Sequence, residues 1–535
     1  MNSLPSHHKQ QFTEKWCVVV AAILTIFTLF VNLGLVPMFI HVDEPRRGLV
    51  SLEMFLNGNL LVPTLNGELY FNKPPLYNWF VILSFLLTGS MDEFAVRLPM
   101  VLSIIFFGLT VYYFTRSYLE KPLAVLAAFM TITSGRMLFY DAFIGLLDIT
   151  YSWFTYIELM LIFHFYHHRK WNALFTWSYT VAAAAFLLKG LPTLLFQGFT
   201  LFIWFGCEKE WKRLFSQAHL IGILFFVVIV GGYYTTYLFQ HWQSGSEIIT
   251  RLWDESARRT IVRFGILETI KQVFTFPYDF ISQFFPWTFM VLFLFARRNF
   301  KKIVDNSFLR FNALAFLVNI PVYWSAPEVR PRYLFIFTAL LFTILVSLYP
   351  KESEEKSNSY KIVNFLMLFL SGVAVIMPIA AVIHPETRSV DYAWLKALIL
   401  IASLVFFFIL SLKSRERLLL NMVITLLIVK MGYNWFVLPS WYPDKYRYKQ
   451  IAENIVAKIG DSPLSYLNTD VNFDGISYYM TAARKKIITR EKGKPQTDRF
   501  YIGDDVEYPS FRREVLLRFD TKYKQNQALV RFWKE

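Results

Sequence analysis

The sequence predicts an all-α polytopic membrane protein followed by a small C-terminal soluble α/β domain, and three observations carry that prediction. Of its 535 residues, 55% are hydrophobic and only 17% charged, against about 25% charged for an ordinary soluble protein. The apolar residues fall in repeated blocks of roughly 17–25, the length that crosses a hydrocarbon core about 30 Å thick. Beyond residue 440 these blocks stop, and charge becomes interspersed with short alternating runs. Inside lipid each backbone N–H and C=O must pair within its own segment, so the blocks are expected to be helices. The short alternating segments of a barrel do not dominate.

The elements follow in order. Lys9 and Lys15 precede an apolar run over residues 16–40, longer than the core of a cleavable signal and read as a retained first span. The loop 41–75 then emerges on the outer side. The next apolar stretch, 76–89, is short for a crossing and is read as an interfacial or re-entrant helix. A second span over 94–114 returns to Arg116 and Lys121. Further Lys- and Arg-bearing loops at 167–171, 207–213, 297–302, 351–361 and 413–417 mark the cytoplasmic side, giving about thirteen spans. An odd count puts the N-terminus inside and the C-terminus outside. This divides the chain into a transmembrane domain, 1–439, and an extracytoplasmic domain, 440–535. In the latter a helical pattern at 446–459 precedes β-rich runs at 464–468, 485–489, 499–503, 514–519 and 527–532.

The net charge of +15 is spread through short loops, as the positive-inside bias requires. No basic face on a soluble fold is implied, and nucleic acid is not an expected partner. Cys17 and Cys207 stand in or beside separate spans and give neither a disulfide framework nor a metal spacing. The 19% aromatic content fits lipid-facing packing and interfacial belts.

The informative segment is the first loop. Asp43 and Glu44 follow the first span, and Pro45 suits the first turn of a helix that Asn57-Gly58 would stop. Asp43 is therefore an expected N-cap, and a carboxylate held by backbone donors is also pre-oriented for chemistry. Lys73 stands just before Pro74-Pro75. An interfacial lysine commonly anchors by snorkelling; one fixed by prolines near an acidic helix start is suited to gripping a phosphate. Asp148 and Lys189 lie near span ends. Arg330 and Arg332 run against the positive-inside trend, which fits an anionic headgroup, although pairing with Glu328 would account for one of them.

These residues resemble those of the GT-C superfamily of membrane glycosyltransferases, in particular the bacterial aminoarabinose-transferase and protein-mannosyltransferase-like branch. The resemblance rests on Asp43-Glu44-Pro45-Arg46, Leu52-Glu53-Met54 and Tyr70-Phe71-Asn72-Lys73-Pro74-Pro75. It continues through Val96-Arg97-Leu98-Pro99, Leu147-Asp148, Leu188-Lys189-Gly190, Glu255 with Arg259, Phe285-Pro286-Trp287 and Arg330-Pro331-Arg332-Tyr333, in order over residues 10–440. It implies catalytic roles for the carboxylates Asp43, Glu44 and Asp148. It implies donor-phosphate binding by Lys73, Arg259, Arg330 and Arg332, with Arg46, Tyr70, Tyr333 and Glu255 in support. Related aminoarabinose transferases carry a metal-associated Glu before the Lys. Here neutral Asn72 stands there, a poorer ligand, so a divalent cation is a cofactor candidate without an assigned site.

The implied activity is inverting transfer of a sugar from a polyprenyl phosphate, of the undecaprenyl type, to a lipid or glycan acceptor, lipid A among the candidates. It would take place at the outer face of a bacterial cytoplasmic membrane, with membrane lipids as the other partners. The competing readings are a polyprenyl-linked lipid transporter or flippase, which would favour ionisable residues at mid-membrane, and a non-catalytic scaffold.

Overall fold

The structure is a computed structural model that describes residues 6–38, 43–241, 250, 261–440, 442–469, 471, 473–497, 499–504, 511–521 and 525–534. In chain order the elements used below are helix α1 (Ser6–Phe30), helix α2 (Glu44–Asn57), the hairpin β1 (Thr64–Leu65) and β2 (Glu68–Leu69), then helix α3 (Leu76–Thr88) and helix α4 (Glu93–Thr115). Helices α5 (Asp148–His167), α6 (Trp171–Lys189) and α7 (Leu418–Gly432) follow. The C-terminal part holds α8 (Tyr442–Ile459), β3 (Leu464–Leu467), α9 (Asp474–Arg484), β4 (Thr489–Glu491), β5 (Phe500–Asp504), β6 (Phe511–Phe519) and β7 (Gln527–Lys534).

The chain divides into two compact units. The larger comprises Met1–Asn32, Met100–Phe143 and Leu147–Ser440 and is a helical bundle. Among the described residues six helices are long and apolar enough to cross a membrane, or seven if the bent pair Lys121–Ile132 and Gly135–Phe143 is one span. The protein is a multi-pass membrane protein. That criterion is one of length and apolarity alone, and other helical segments fall outside it for local reasons. The first apolar run is helical only to Phe30, and Trp287–Phe295 is a nine-residue 3₁₀ segment. Helices α5 and α6 carry polar side chains such as Asp148, Glu158, His164 and Lys189 along their length.

The smaller unit comprises Leu33–Pro99, Ile144–Leu146 and Trp441–Glu535, so the first loop is grouped with the C-terminal domain. That domain holds a five-stranded mixed sheet in the order β4-β3-β5-β7-β6. The β3 strand runs parallel to β4 and β5, and β7 antiparallel to β5 and β6. One face is covered by Ile451 and Ile455 of α8 with Ile476 and Met480 of α9. Four of the five expected strands and the first helix form near their expected positions. The run at 485–489 does not extend as read: the strand begins at Thr489, after Lys485 turns left-handed at φ 52° to end α9.

Within this unit the first loop is tied to the tail by side chains of α9. Tyr479 Oη accepts from Met38 N (2.8 Å) and donates to Glu93 Oε1 (2.9 Å), and Tyr478 Oη donates to the Met91 carbonyl (2.7 Å). Lys449 Nζ adds an ion pair to Glu93 at 3.1 Å. Arg490 N donates to the Asn66 carbonyl at the hairpin turn (3.3 Å).

Candidate active site

Helix α2 begins and ends as its sequence dictates, with Pro45 in the first turn and Gly58 closing it at φ 66°. Asp43 occupies the N-cap position without a side-chain capping bond; its carbonyl accepts from Arg47 N (3.0 Å), and the residue stays partly exposed.

Glu44, its neighbour, has a different environment. It is fully buried. Its Oε1 accepts from Arg97 Nε (2.7 Å) and Gly145 N (2.8 Å), and its Oε2 from Arg97 Nη2 (3.2 Å). Arg97, 1% exposed, spends Nη1 on the carbonyls of Leu33 and Val36, both at 2.8 Å. Glu44, expected as a catalytic carboxylate, is thus fully enclosed, with its oxygens held by a guanidinium and an amide in a position that braces the loop.

Two of the expected supporting residues, Arg46 and Tyr70, have separate partners. Arg46 Nε donates to Asp474 Oδ2 (2.8 Å) on α9. Tyr70 Oη accepts from Arg47 Nη2 (2.6 Å), with the guanidinium carbon 5.3 Å from the ring centroid. Arg47 was legible in principle, since positions 47, 50, 51 and 54 share one helical face and all are buried. Asp474 had no local signal, because an Asp opening a helix reads as a cap.

Glu53 joins α2 to the hairpin, accepting from Thr64 Oγ1 (2.7 Å), Asn66 N (2.6 Å) and Gly67 N (3.2 Å). Burial pushes its carboxyl above the usual range, and those three donors oppose the shift. Lys73 lies in the turn that enters α3. Ser51 meets Asn78 (3.3 Å) and, further along, Phe55 packs on Phe85 (6.2 Å between ring centroids). Asn78 Nδ2 also meets Met54 Sδ (3.7 Å), and Trp79 Nε1 donates to the Leu60 carbonyl just beyond α2 (2.7 Å).

A second cluster lies in the helical unit. Asp148 opens α5 and Lys189 closes α6. Asp148 accepts from Lys189 Nζ at Oδ1 (2.7 Å) and pairs with Arg332 Nε through Oδ2 (2.9 Å), all three side chains at most 7% exposed. Lys189 Nζ also sits 3.6 Å from the Tyr333 ring centroid and 4.9 Å from that of Tyr151. Arg136 pairs with the buried Asp141 at 2.7 Å. Three cations against two carboxylates leave this cluster one positive charge in excess, a setting suited to an anion. Asp148, expected as a second acidic group for catalysis, lies between two cations. Arg332 is oriented by Asp148 and not by Glu328; Arg330 is exposed. Glu255 and Arg259 lie outside the described residues. Among the described residues no group of three or more His, Cys, Asp or Glu could hold a metal ion.

Residues 72–233 match the family described as dolichyl-phosphate-mannose-protein mannosyltransferase. An uncharacterized protein of Aquifex aeolicus is 25% identical over 65% of this chain and 76% of its own length. A second from the same organism is matched over only 59% of its length. The undecaprenyl phosphate-alpha-4-amino-4-deoxy-L-arabinose arabinosyl transferase of Edwardsiella ictaluri is 28% identical, over 37% of each chain. The crystal structure of ArnT from Cupriavidus metallidurans bound to undecaprenyl phosphate superposes with a TM-score of 0.71 at 16% identity, covering 97% of this chain and 98% of that one. The chain thus shares the ArnT fold and resembles the GT-C membrane glycosyltransferases of the aminoarabinose-transferase type.

Proposed function

We propose that the protein transfers a sugar from a polyprenyl phosphate, of the undecaprenyl type, to a hydroxyl of a lipid or glycan acceptor, lipid A among the candidates, at the extracytoplasmic face of a bacterial cytoplasmic membrane. The observation that carries this reading is the buried Asp148 cluster, where Lys189 and Arg332 converge on one carboxylate with positive charge in excess, in a chain that shares the ArnT fold. In the reaction the acceptor oxygen bonds to the anomeric carbon as the bond from that carbon to the phosphate oxygen breaks. The electron pair leaves with the phosphate, and the configuration inverts. Asp43 takes the proton of the acceptor hydroxyl as general base. Lys73 stabilises charge on the departing phosphate, with Arg259, Arg330 and Arg332 as the further cations that the resemblance names. Neutral Asn72 makes a poor ligand, so this reading gives charge stabilisation to side-chain cations and assigns no step to a metal.

The test is transfer by the full chain in lipid nanodiscs, supplied with polyprenyl-phosphate sugars and envelope lipids and read by mass spectrometry. Asp43→Asn is expected to lose about 10²-fold or more in rate while keeping its thermal transition. An Asp43→Asn protein as active as the parent removes the general-base assignment.

A second reading, movement of a polyprenyl-linked lipid across the membrane, is favoured by two buried ionisable side chains in the helical unit. Glu158 on α5 has neither carboxylate oxygen hydrogen-bonded. Lys430 on α7 has no hydrogen-bond partner and rests between the rings of Phe143 (4.7 Å) and Tyr433 (4.8 Å). Transport would need such groups. A liposome assay with a reducible fluorescent polyprenyl-phosphate analogue separates the readings: protein-dependent loss of inner-leaflet protection with no glycosylated product favours transport.

A further inference from the structure

Helix α4 is long and apolar enough to cross a membrane, and Arg116 follows its last residue, its N–H still bonded to the Tyr112 carbonyl (2.9 Å). Phe106, Leu109 and Tyr113 recur at helical spacing on one face of α4, and all three are exposed. Trp153 and Ile157, one turn apart on α5, stand beside that face, and between the two helices lies a groove of about 440 Å³ that Arg116 also lines. Its wall is fixed: Trp153 stacks on Phe106 at 5.5 Å between ring centroids and donates from Nε1 to Thr110 Oγ1 (2.8 Å). The Arg116 guanidinium lies 5.2 Å and 5.4 Å from the Tyr112 and Tyr113 ring centroids. Among the described residues no side chain forms a hydrogen bond or an ion pair with it.

We propose that this groove binds an anionic phospholipid of the surrounding membrane, with one hydrocarbon chain lying between α4 and α5 and the phosphate on Arg116. Length, charge and position agree with that occupant. The stretch 106–116 covers about 15 Å of helix, half of a hydrocarbon core about 30 Å thick, so the groove runs the depth of one leaflet. A guanidinium with no carboxylate partner at the end of an apolar groove complements one negative charge, and basic pockets between spanning helices take lipid headgroups in this way. A zwitterionic headgroup brings a cation of its own and is the poorer match. Position argues against the sugar carrier. Tyr118 Oη meets His164 Nδ1 at 2.9 Å, which sets the Arg116 end of α4 beside the end of α5 remote from Asp148, about 24 Å along that helix. By the positive-inside bias this is the cytoplasmic leaflet, opposite the face given to sugar transfer. The proposal stands whether the chain is a transferase or a transporter.

The experiment uses the full chain in phosphatidylcholine nanodiscs doped with a trace of phosphatidylglycerol that carries a diazirine on one acyl chain. After illumination the labelled peptides are identified by mass spectrometry, and label is expected on the groove walls, residues 106–113 and 153–157. A phosphatidylcholine probe with the same diazirine chain should label those walls about fivefold less, the contribution of one basic residue to holding an anionic lipid. Arg116→Gln should lower phosphatidylglycerol labelling to that same level, and Arg116→Lys should keep most of it. Leu109→Trp, at an exposed position, fills the groove and should remove the label from 153–157 although Arg116 is intact. Thermal unfolding of each variant in the same nanodiscs separates loss of label from loss of fold.

Equal labelling of the parental walls by the two probes overturns the proposal, and that comparison needs no variant. So does undiminished phosphatidylglycerol labelling in Arg116→Gln, or label at 153–157 that survives Leu109→Trp. A parallel arm adds unlabelled undecaprenyl phosphate or unlabelled phosphatidylglycerol as competitor. Displacement of the probe by phosphatidylglycerol at the lower concentration supports the proposal. Displacement by undecaprenyl phosphate at the lower concentration overturns it and assigns the groove to the carrier.

Discussion

Replacing Glu44 by Gln separates a brace from a catalyst. The substitution keeps the size of the side chain and removes its charge. In the parent that charge faces Arg97 at 2.7 Å, with the two side chains 0% and 1% exposed. One of the two Arg97 bonds to Glu44 would face an amide NH₂ that can only donate, while the guanidinium keeps the Leu33 and Val36 carbonyls. A buried charge left without its partner costs about 3–5 kcal/mol, and the bond from Gly145 N to the carboxylate adds to the loss. Replacing both partners by apolar residues, as in Glu44→Met with Arg97→Met, removes the uncompensated charge and is expected to recover part of that loss. Reversible unfolding in mixed micelles, followed by tryptophan fluorescence, measures both. A Glu44→Gln protein that unfolds within about 1 kcal/mol of the parent would refute the brace, because a pair this enclosed cannot lose one charge so cheaply. If that protein were also inactive, the catalytic role expected from the sequence would stand instead.

Two further outcomes follow from the same geometry. Because burial raises the folded-state pKa of Glu53 above its unfolded value, the folded state holds a proton more firmly between those two values. Its contribution is present below the unfolded pKa and is lost as pH rises through the folded one. The unfolding free energy of the parent minus that of Glu53→Gln should therefore fall from pH 4 toward neutrality, and a flat difference would contradict the assignment. Lys189→Met removes one of the two cations on Asp148 and cancels the surplus positive charge of that cluster; binding of a polyprenyl phosphate, titrated by intrinsic fluorescence, should weaken by about tenfold or more, whereas unchanged affinity would detach the cluster from the donor.

Much of this fold could be read locally. Pro45 and Asn57-Gly58 bracket α2, and Gly89 ends α3 in a left-handed turn at φ 66°, because each signal acts through its own backbone. The span count is the part that length and hydropathy alone do not decide. Helices α5 and α6 tolerate Asp148, Glu158 and Lys189 because these are enclosed by other helices, and burial of that kind is a property of the assembled bundle. The roles of charged residues were the least legible part. Arg46 and Arg47 are adjacent in sequence, yet one points to Asp474 and the other to Tyr70. Only the first pairing needs a partner more than four hundred residues away. Helix α9 itself was missed, although Phe473, Ile476 and Met480 share a buried face.

The adjacent carboxylates Asp43 and Glu44 illustrate how environment assigns chemistry. A useful base must be exposed enough to meet an acceptor and must not be neutralised by a tight ion pair. Glu44 fails both conditions: it is enclosed, and its oxygens hold Arg97 and Gly145. Those bonds also hold the first turn that follows Asp43. The Leu33 and Val36 carbonyls fix the approach, and Glu44 fixes the first turn. Pre-organisation of this kind lowers the reorganisation required when charge develops. The buried member of the pair thus secures the helix start at which the partly exposed one stands, without a side-chain capping bond. Moving the acid one residue along, as in the exchange Asp43→Glu with Glu44→Asp, would shorten the brace by a methylene and lengthen the base, so the order of the two acids is part of the site.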